Sequence, residues 1–338
     1  MKTSKSIKLV FFCSLFLMIF YLAGPTSAKD VWKFGHVCPK GVTISGHGYV
    51  KDPYQVGAEK FKEVMEKETG GKIKIDVYPS GQLGSDREML ELLKLGELET
   101  MLTATAPLSV WEPTTMVFTL PFIFRDLNHA RRVLDGPIGQ EILDNLATHG
   151  MKGITYADNH FRHLVTRDKV VRSVGDMQGL KIRVMKSPVY IAMYKALGAS
   201  ATPVPYTEVY TALQTGVVDG YDIHPVYHLT SRHYEVAKCF HWTNHTFTAI
   251  PYLISAKVWN GLSPQTQKVV VKAMKAGAEA HRKQIDSLLD LSVRMLKKEG
   301  CIFIDLGLEG FAAKMGPVYE KFQGEIGGDL IERTKKSE

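Results

Sequence analysis

Several signatures are missing from this 338-residue chain. It has no P-loop, no GxSxG and no CxxC, and Gly46-His47-Gly48 starts a dinucleotide-type loop that no third glycine completes. Local motifs for nucleotide binding, serine hydrolysis and dithiol chemistry are thus absent, although many active sites carry no such motif. Cysteine is scarce. Cys13 follows the bulky Phe12 and does not suit lipid attachment, and Cys38, Cys239 and Cys301 are far apart and odd in number. At most one disulfide can form among those three, so the fold must rest on its core. Charge of one sign is not in excess: 42 Lys and Arg face 35 Asp and Glu, a formal +7 that does not imply nucleic acid. There is no tandem repeat and no low-complexity linker. Past the first 28 residues no apolar run reaches the ~20 residues of a membrane span.

What is present begins at the N-terminus. Lys2, Lys5 and Lys8 precede an apolar run from Leu9 to Ala23, the helix breaker Gly24-Pro25, and Thr26-Ser27-Ala28. A basic start, an apolar stretch and a small-residue cleavage site predict a secretory signal peptide over residues 1–28. Its removal takes the formal charge from +7 to +4. A modest positive bias suits an anionic ligand without demonstrating one. The remaining 310 residues exceed a comfortable single core, which predicts two domains.

Strands and helices alternate through the chain. Val31 to Phe34 and Ile73 to Val77 alternate as strands, and Tyr54 to Thr69 is helical with Val56, Phe61, Val64 and Met65 inward. Ser85-Asp86-Arg87-Glu88 is a capping box opening a helix to Leu95, and a short strand falls near Glu99 to Thr103. Gly136-Pro137 opens another helix, Leu180 to Val184 reads as a strand, Val189 to Leu197 as a helix, and Thr207 as the cap of a helix to Gln214. This order predicts an α/β fold with a mostly parallel sheet. The longest helical pattern runs from Ser263-Pro264 to Glu299, about 50 Å if unbroken, and it either kinks near Gly277 or braces two lobes.

Residue chemistry singles out a few positions. His224/His228 and His241/His245 have i,i+4 spacing, but Pro225 interrupts the first pair and no carboxylate stands between the histidines, so no metal or other cofactor is expected. Asn244-His245-Thr246 matches a glycosylation sequon, a pattern that is common by chance. Arg183 lies on an apolar strand. It pairs either with a ligand carboxylate or with an Asp or Glu of the chain itself, and periodicity does not decide between them. Trp111 before Pro113 and Tyr206 after Pro205 sit on loops of the kind that meet a cleft.

Longer segments now carry a resemblance. They are Gly57-Ala58-Glu59-Lys60-Phe61, Tyr78-Pro79-Ser80-Gly81-Gln82-Leu83-Gly84, Leu120-Pro121-Phe122-Ile123-Phe124-Arg125-Asp126, Gly179-Leu180-Lys181-Ile182-Arg183-Val184, Pro203 to Gly220, and Thr243-Asn244-His245. In this order they resemble the DctP family, the periplasmic solute receptors of tripartite ATP-independent (TRAP) transporters. The resemblance implies a non-catalytic, monomeric periplasmic receptor that carries a small organic acid to the transporter's membrane subunits. The implied fold is a type II-like clamshell with hinge strands and a lobe-bridging helix. Lobe I is expected over 29–159 plus about 248–287, and lobe II over 160–247 plus about 288–338. Arg183 and Arg162 match the family's cleft arginines and Tyr206 its cleft aromatic. The family's Asn-Pro after Asp-Gly is replaced by Tyr221-Asp222-Ile223-His224-Pro225, so Asp222 or His224 stands where an asparagine contacts ligand. The loop from Cys38 to Tyr54 is also longer than usual. His36 and Asn244 complete the expected ligand-binding set. Trp111, Tyr206, Tyr221 and the altered Asn-Pro favour a monocarboxylate, aromatic and 2-oxo acids included, over a C4-dicarboxylate or sugar acid. An exported hydrolase and a sensor-linked receptor are the readings from other classes.

Overall fold

The computed structural model describes residues 30–337; the expected signal peptide lies outside them. The chain opens with β1 (Asp30–Gly35), a hairpin of β2 (Gly41–Ile44) and β3 (Gly48–Lys51), α1 (Pro53–Glu68), β4 (Ile73–Tyr78), α2 (Asp86–Leu95) and β5 (Thr100–Leu102). The hairpin occupies the long loop noted in the sequence. Short 3-10 turns over 106–119 lead to α3 (Leu127–Asp135), α4 (Pro137–Asn145) and the long β6 (Met151–Thr166). Next come β7 (Lys181–Val184), α5 (Pro188–Ala196), β8 (Ser200–Pro203), α6 (Val209–Gln214), β9 (Gly220–Ile223) and α7 (Pro225–Thr230). The second long strand, β10 (Cys239–Ser255), precedes α8 (Ala256–Asn260), α9 (Pro264–Lys298), β11 (Ile302–Asp305), α10 (Glu309–Ala312), α11 (Gly316–Ile326) and α12 (Gly328–Lys336).

Local chemistry sets the boundaries. Ser85 Oγ accepts from the Glu88 amide at 3.4 Å and Glu88 accepts from the Ser85 amide at 2.7 Å, closing the capping box of α2. Ser263 caps α9 by accepting from the Thr266 amide at 3.2 Å. Thr207 caps nothing: residues Tyr206–Glu208 form a 3-10 turn and α6 starts at Val209. In α1 the inward stripe is Tyr54, Gly57, Ala58, Phe61 and Met65, with Val56 and Val64 only half-buried.

The sheet runs β4-β1-β5-β10-β6-β9-β7-β8, with β11 also on β10. Among the described residues, five of its eight strand pairings are parallel, in line with the mostly parallel sheet expected; the antiparallel ones are β10 with β5, β10 with β6, and β6 with β9. β5 joins β10 near its C-terminal end, at Tyr252–Ile254. β9 joins β6 at His163–Thr166, and β11 joins β10 at Cys239–Trp242. The two sets of strands thus hang on opposite ends of one β6–β10 ladder. Between them the ladder loses register, from His241 to Thr246 and from Phe247 to Ala249. His160 and Asn244 there have positive φ, 56° and 41°. Irregular pairing bends a ladder, so β6 and β10 are strands shared by two lobes and flexed where the lobes meet.

α9 is one 35-residue helix that packs on α1, β6 and α7, and so braces both lobes. Gly277 is a close approach, not a kink: a Cβ there would lie 2.7 Å from the Gly57 carbonyl oxygen. The terminal helices, assigned to lobe II from the sequence, pack largely on residues 113–145. Arg333 pairs with Glu141 at 2.7 Å, and Thr334 O meets His129 Nε2 at 2.9 Å. Cys38, Cys239 and Cys301 are buried free thiols.

Candidate functional site

Where the lobes meet, Val37, Cys38, Tyr54, Asp86, Ala104, Asn159, Arg162, Arg183, Met185, Tyr206, Ile223, Tyr227 and Thr248 enclose a cavity of about 30 Å³. Asp86, Arg183, Met185 and Tyr206 also line an outer recess of about 280 Å³, so they stand between the cavity and solvent. The inner space holds about two waters.

β7 carries Arg183 into this wall. Ile182 and Val184 are buried, and Arg183 itself is 2% exposed. Its Nε donates to Val204 O at 2.9 Å, and Nη1 is buried without a partner. Among the described residues no carboxylate lies within ion-pair distance of it. The periodicity left two partners open for Arg183, and a protein carboxylate is not one that the fold supplies. Burial first, and the Arg162 charge second, pull its pKa down to about 10, so it remains a cation at neutral pH. The Tyr206 ring centroid lies 6.0 Å from the guanidinium, at the outer limit of a cation–π contact.

Arg162 differs in every respect but burial. It stands on β6 opposite Asp222 of β9, donating from Nε at 2.9 Å and Nη2 at 2.6 Å to Asp222 Oδ1, and also to the Asp222 carbonyl. Nη1 faces Thr248 Oγ1 at 3.4 Å. Asp222 Oδ2 is met by Tyr194 Oη at 3.1 Å and His245 Nε2 at 3.2 Å. Burial alone would raise the Asp222 carboxyl, but the Arg162 charge and these hydrogen bonds hold it well below the usual range. The Arg162 charge is therefore offset inside the protein, whereas that of Arg183 is not.

The other expected residues divide. Tyr206 lines both spaces, its hydroxyl 2.7 Å from Ser231 Oγ. Asp222 lies behind the wall, fully engaged with Arg162. His224 caps α7, its Nδ1 accepting from the Val226 amide at 3.3 Å, with its ring 5.0 Å from that of His160. His36 sits under the wall, Nε2 3.2 Å from Gln55 Oε1, and burial lowers its pKa to about 4. Asn244 is exposed at the β10 irregularity. Trp111 is remote, its ring 4.9 Å from Lys94 Nζ. None of Asp222, His224, His36, Asn244 and Trp111 lines the cavity. Among the described residues no His, Cys, Asp and Glu group is arranged to hold a metal.

Of the lining residues that the sequence reading did not single out, two carry the most polar chemistry. Asn159 on β6 donates to Tyr54 Oη at 3.0 Å and accepts from Tyr227 Oη at 2.7 Å, which puts an amide where Asp222 and His224 do not reach. Asp86, in the first turn of α2, accepts from Thr103 Oγ1 at 2.6 Å through Oδ1. Burial pushes its carboxyl up, against the pull of Thr103 and of the Arg183 charge. The capping box marked Asp86 as a helix start; nothing local marked Asn159.

The profile of DctP, bacterial extracellular solute-binding protein family 7, matches residues 46–325. A solute-binding protein of Verminephrobacter eiseniae is 34% identical over 284 residues, 84% of this chain and 85% of its own. The fold is similar to a TRAP periplasmic solute-binding protein from Polaromonas sp. JS666 bound to D-erythronate, with a TM-score of 0.86 and 32% identity over 91% of this chain and 99% of that one. It is also similar to one from Bradyrhizobium sp. BTAi1 in complex with galacturonate, with a TM-score of 0.84 and 35% identity over 90% and 99% of the two chains.

Proposed function

The chain belongs to the DctP family of bacterial extracellular solute-binding proteins, and from that premise we propose that it is a periplasmic receptor that closes over a hydroxylated monocarboxylate and hands it to a TRAP transporter. Proteins of this kind are receptors and not enzymes. The observation that carries the ligand class is Arg183: a buried guanidinium on a cavity wall, with a free Nη1 and no protein counter-ion. Leaving a buried cation unpaired is costly, and a carboxylate is its natural partner.

Among the described residues that line the inner cavity, Arg183 is the one cation without a protein counter-ion, which fits one carboxylate. A second carboxylate would meet Arg162, already neutralised by Asp222, and the Asp86 side chain. That argues against a C4-dicarboxylate. The rest of the wall mixes apolar side chains, Val37, Ala104, Met185 and Ile223, with polar groups: Asn159, Thr248, Asp86 and the hydroxyls of Tyr54 and Tyr227 suit ligand hydroxyl groups. Trp111 lines neither the cavity nor the recess outside it, which removes one support for an aromatic acid. The sugar-acid class, second to aromatic and 2-oxo acids on sequence grounds, therefore leads. The relatives solved with D-erythronate and galacturonate support the same class.

A thermal-shift screen of aldonates, uronates, C4-dicarboxylates and aromatic 2-oxo acids tests this, followed by calorimetry on the hits. The hydroxylated monocarboxylates should give the largest shifts. A dicarboxylate or an aromatic acid binding tenfold more tightly would sink the ligand class, and no acid binding at all would sink the receptor reading.

A further inference from the structure

A second concavity lies outside the ligand site. Ile191, Ala192, Lys195 and Ala196 of α5 form one wall, and Ala313, Lys314, Pro317, Val318 and Lys321 at the start of α11 form the other. The groove measures about 610 Å³. Its floor is apolar, and Ile191 is 39% exposed, an isoleucine left in water on a helix whose inner face is already buried. Its rim is cationic. Lys195, Lys314 and Lys321 all border it, no acidic side chain does, and among the described residues none of the three lysines forms an ion pair. An apolar floor under three uncompensated ammonium groups is complementary to an apolar side chain flanked by carboxylates.

Its position adds a second argument. α5 lies in the lobe that carries Arg183. α11 packs on the 113–119 turns of the other lobe, and Tyr319 Oη donates to Pro121 O there at 2.8 Å. α11 also packs on α5 itself, so the groove sits at the junction between the lobes.

We propose that this groove docks an acidic, apolar-sided segment of the transporter's membrane subunits, in preference to lipid. The inference rests on the receptor reading above but concerns a different surface. Interfacial charge of this kind acts chiefly on association rate and salt dependence.

The test uses the full chain and its cognate membrane subunits in lipid nanodiscs, with empty phosphatidylglycerol nanodiscs alongside. Lys195→Glu/Lys314→Glu/Lys321→Glu should weaken binding to the loaded discs at least tenfold, and the Lys→Arg triple should stay within twofold of wild type. Wild-type affinity should fall as salt rises, with a shallower slope in the Glu variant. Equal binding by the Glu variant overturns the proposal. So does wild-type binding to empty discs as strong as to loaded ones, which would identify lipid as the occupant. If the acid screen is positive but loaded discs capture no wild-type protein, this inference falls and the receptor reading stands.

Discussion

At the scale of single residues, two buried arginines about the same cavity should behave oppositely when perturbed. Arg183→Ala removes an uncompensated cation. Losing a desolvated charge pair with ligand costs roughly 2–5 kcal/mol, about thirtyfold or more in affinity. Stability should hold or rise, since an unpaired buried charge is a burden on the fold. Asp222→Asn does the reverse: it strands Arg162 and should cost about 3–5 kcal/mol of unfolding free energy. Urea denaturation and calorimetry on both variants separate these effects, and a large stability loss in Arg183→Ala would make that residue structural. Asp52 offers a pH test. It caps α1, accepts from Thr230 Oγ1 at 2.6 Å, and burial raises its carboxyl to about 7. Between about pH 4 and 7 the folded chain therefore holds a proton that the unfolded chain has released. Stability from this group is full below the window and is lost as pH rises through it. Asp52→Asn mimics the protonated form, so it should gain on wild type by roughly 1.4 kcal/mol per pH unit across the window and level off above it. Paired denaturation curves at pH 5 and 8 read this directly; a constant difference would mean that Asp52 ionises normally.

At the scale of elements, the crossing of α1 and α9 depends on two glycines. A Cβ on Gly277 meets the Gly57 carbonyl oxygen, and one on Gly57 runs into Tyr252 Oη. Neither helix backbone can yield without moving the other, so Gly277→Ala should cost about 1–3 kcal/mol. Gly324 in α11 has open space around it, and Gly324→Ala should instead gain up to ~1 kcal/mol from helix propensity. Opposite shifts in melting temperature are expected; a rise in both would mean that the α1–α9 crossing is loose. The same contrast explains what the sequence disclosed. Helices announced themselves wherever local chemistry marks them, as at Ser85 to Glu88 and Ser263-Pro264. The two strands that organise the molecule did not. Asp158-Asn159-His160 interrupts β6 and Thr243-Asn244-His245 interrupts β10, with positive φ at His160 and Asn244, so neither segment shows a clean alternation. Asn159 was missed with its strand. A turn near a proline, as at Trp111, says nothing about which side of a lobe a residue faces. Arg183 was legible as an oddity on an apolar strand, but only burial without a partner distinguishes a ligand anchor from a surface ion pair.

At the scale of the whole molecule, the placement of the cavity implies motion. Buried residues of both lobes wall it, Tyr54 on one side and Arg183 on the other, so entry requires the lobes to part along β6, β10 and α9. Several hydrogen bonds cross the seam, among them Thr230 Oγ1 to Asp52 at 2.6 Å, Tyr227 Oη to Asn159 at 2.7 Å and to His281 Nε2 at 3.0 Å, and the Phe122 amide to the His245 carbonyl at 2.9 Å. A ligand shifts such an equilibrium only through contacts that exist when both sides meet it. Arg183 supplies one side, and Asp86 and Tyr54 supply the other. Small-angle scattering should therefore record a smaller radius of gyration once the acid found in the screen is added. Thr230→Val removes one hydrogen bond across the seam while keeping the side chain's shape, which costs about 1 kcal/mol of closure. The free variant should be more open, and its apparent affinity about fivefold weaker, because the competent closed form is less populated. The variant's saturated complex should still match the wild-type radius. If wild type keeps the same radius with and without ligand, or if Thr230→Val binds as tightly as wild type, the seam does not gate the site and capture proceeds in a rigid cleft.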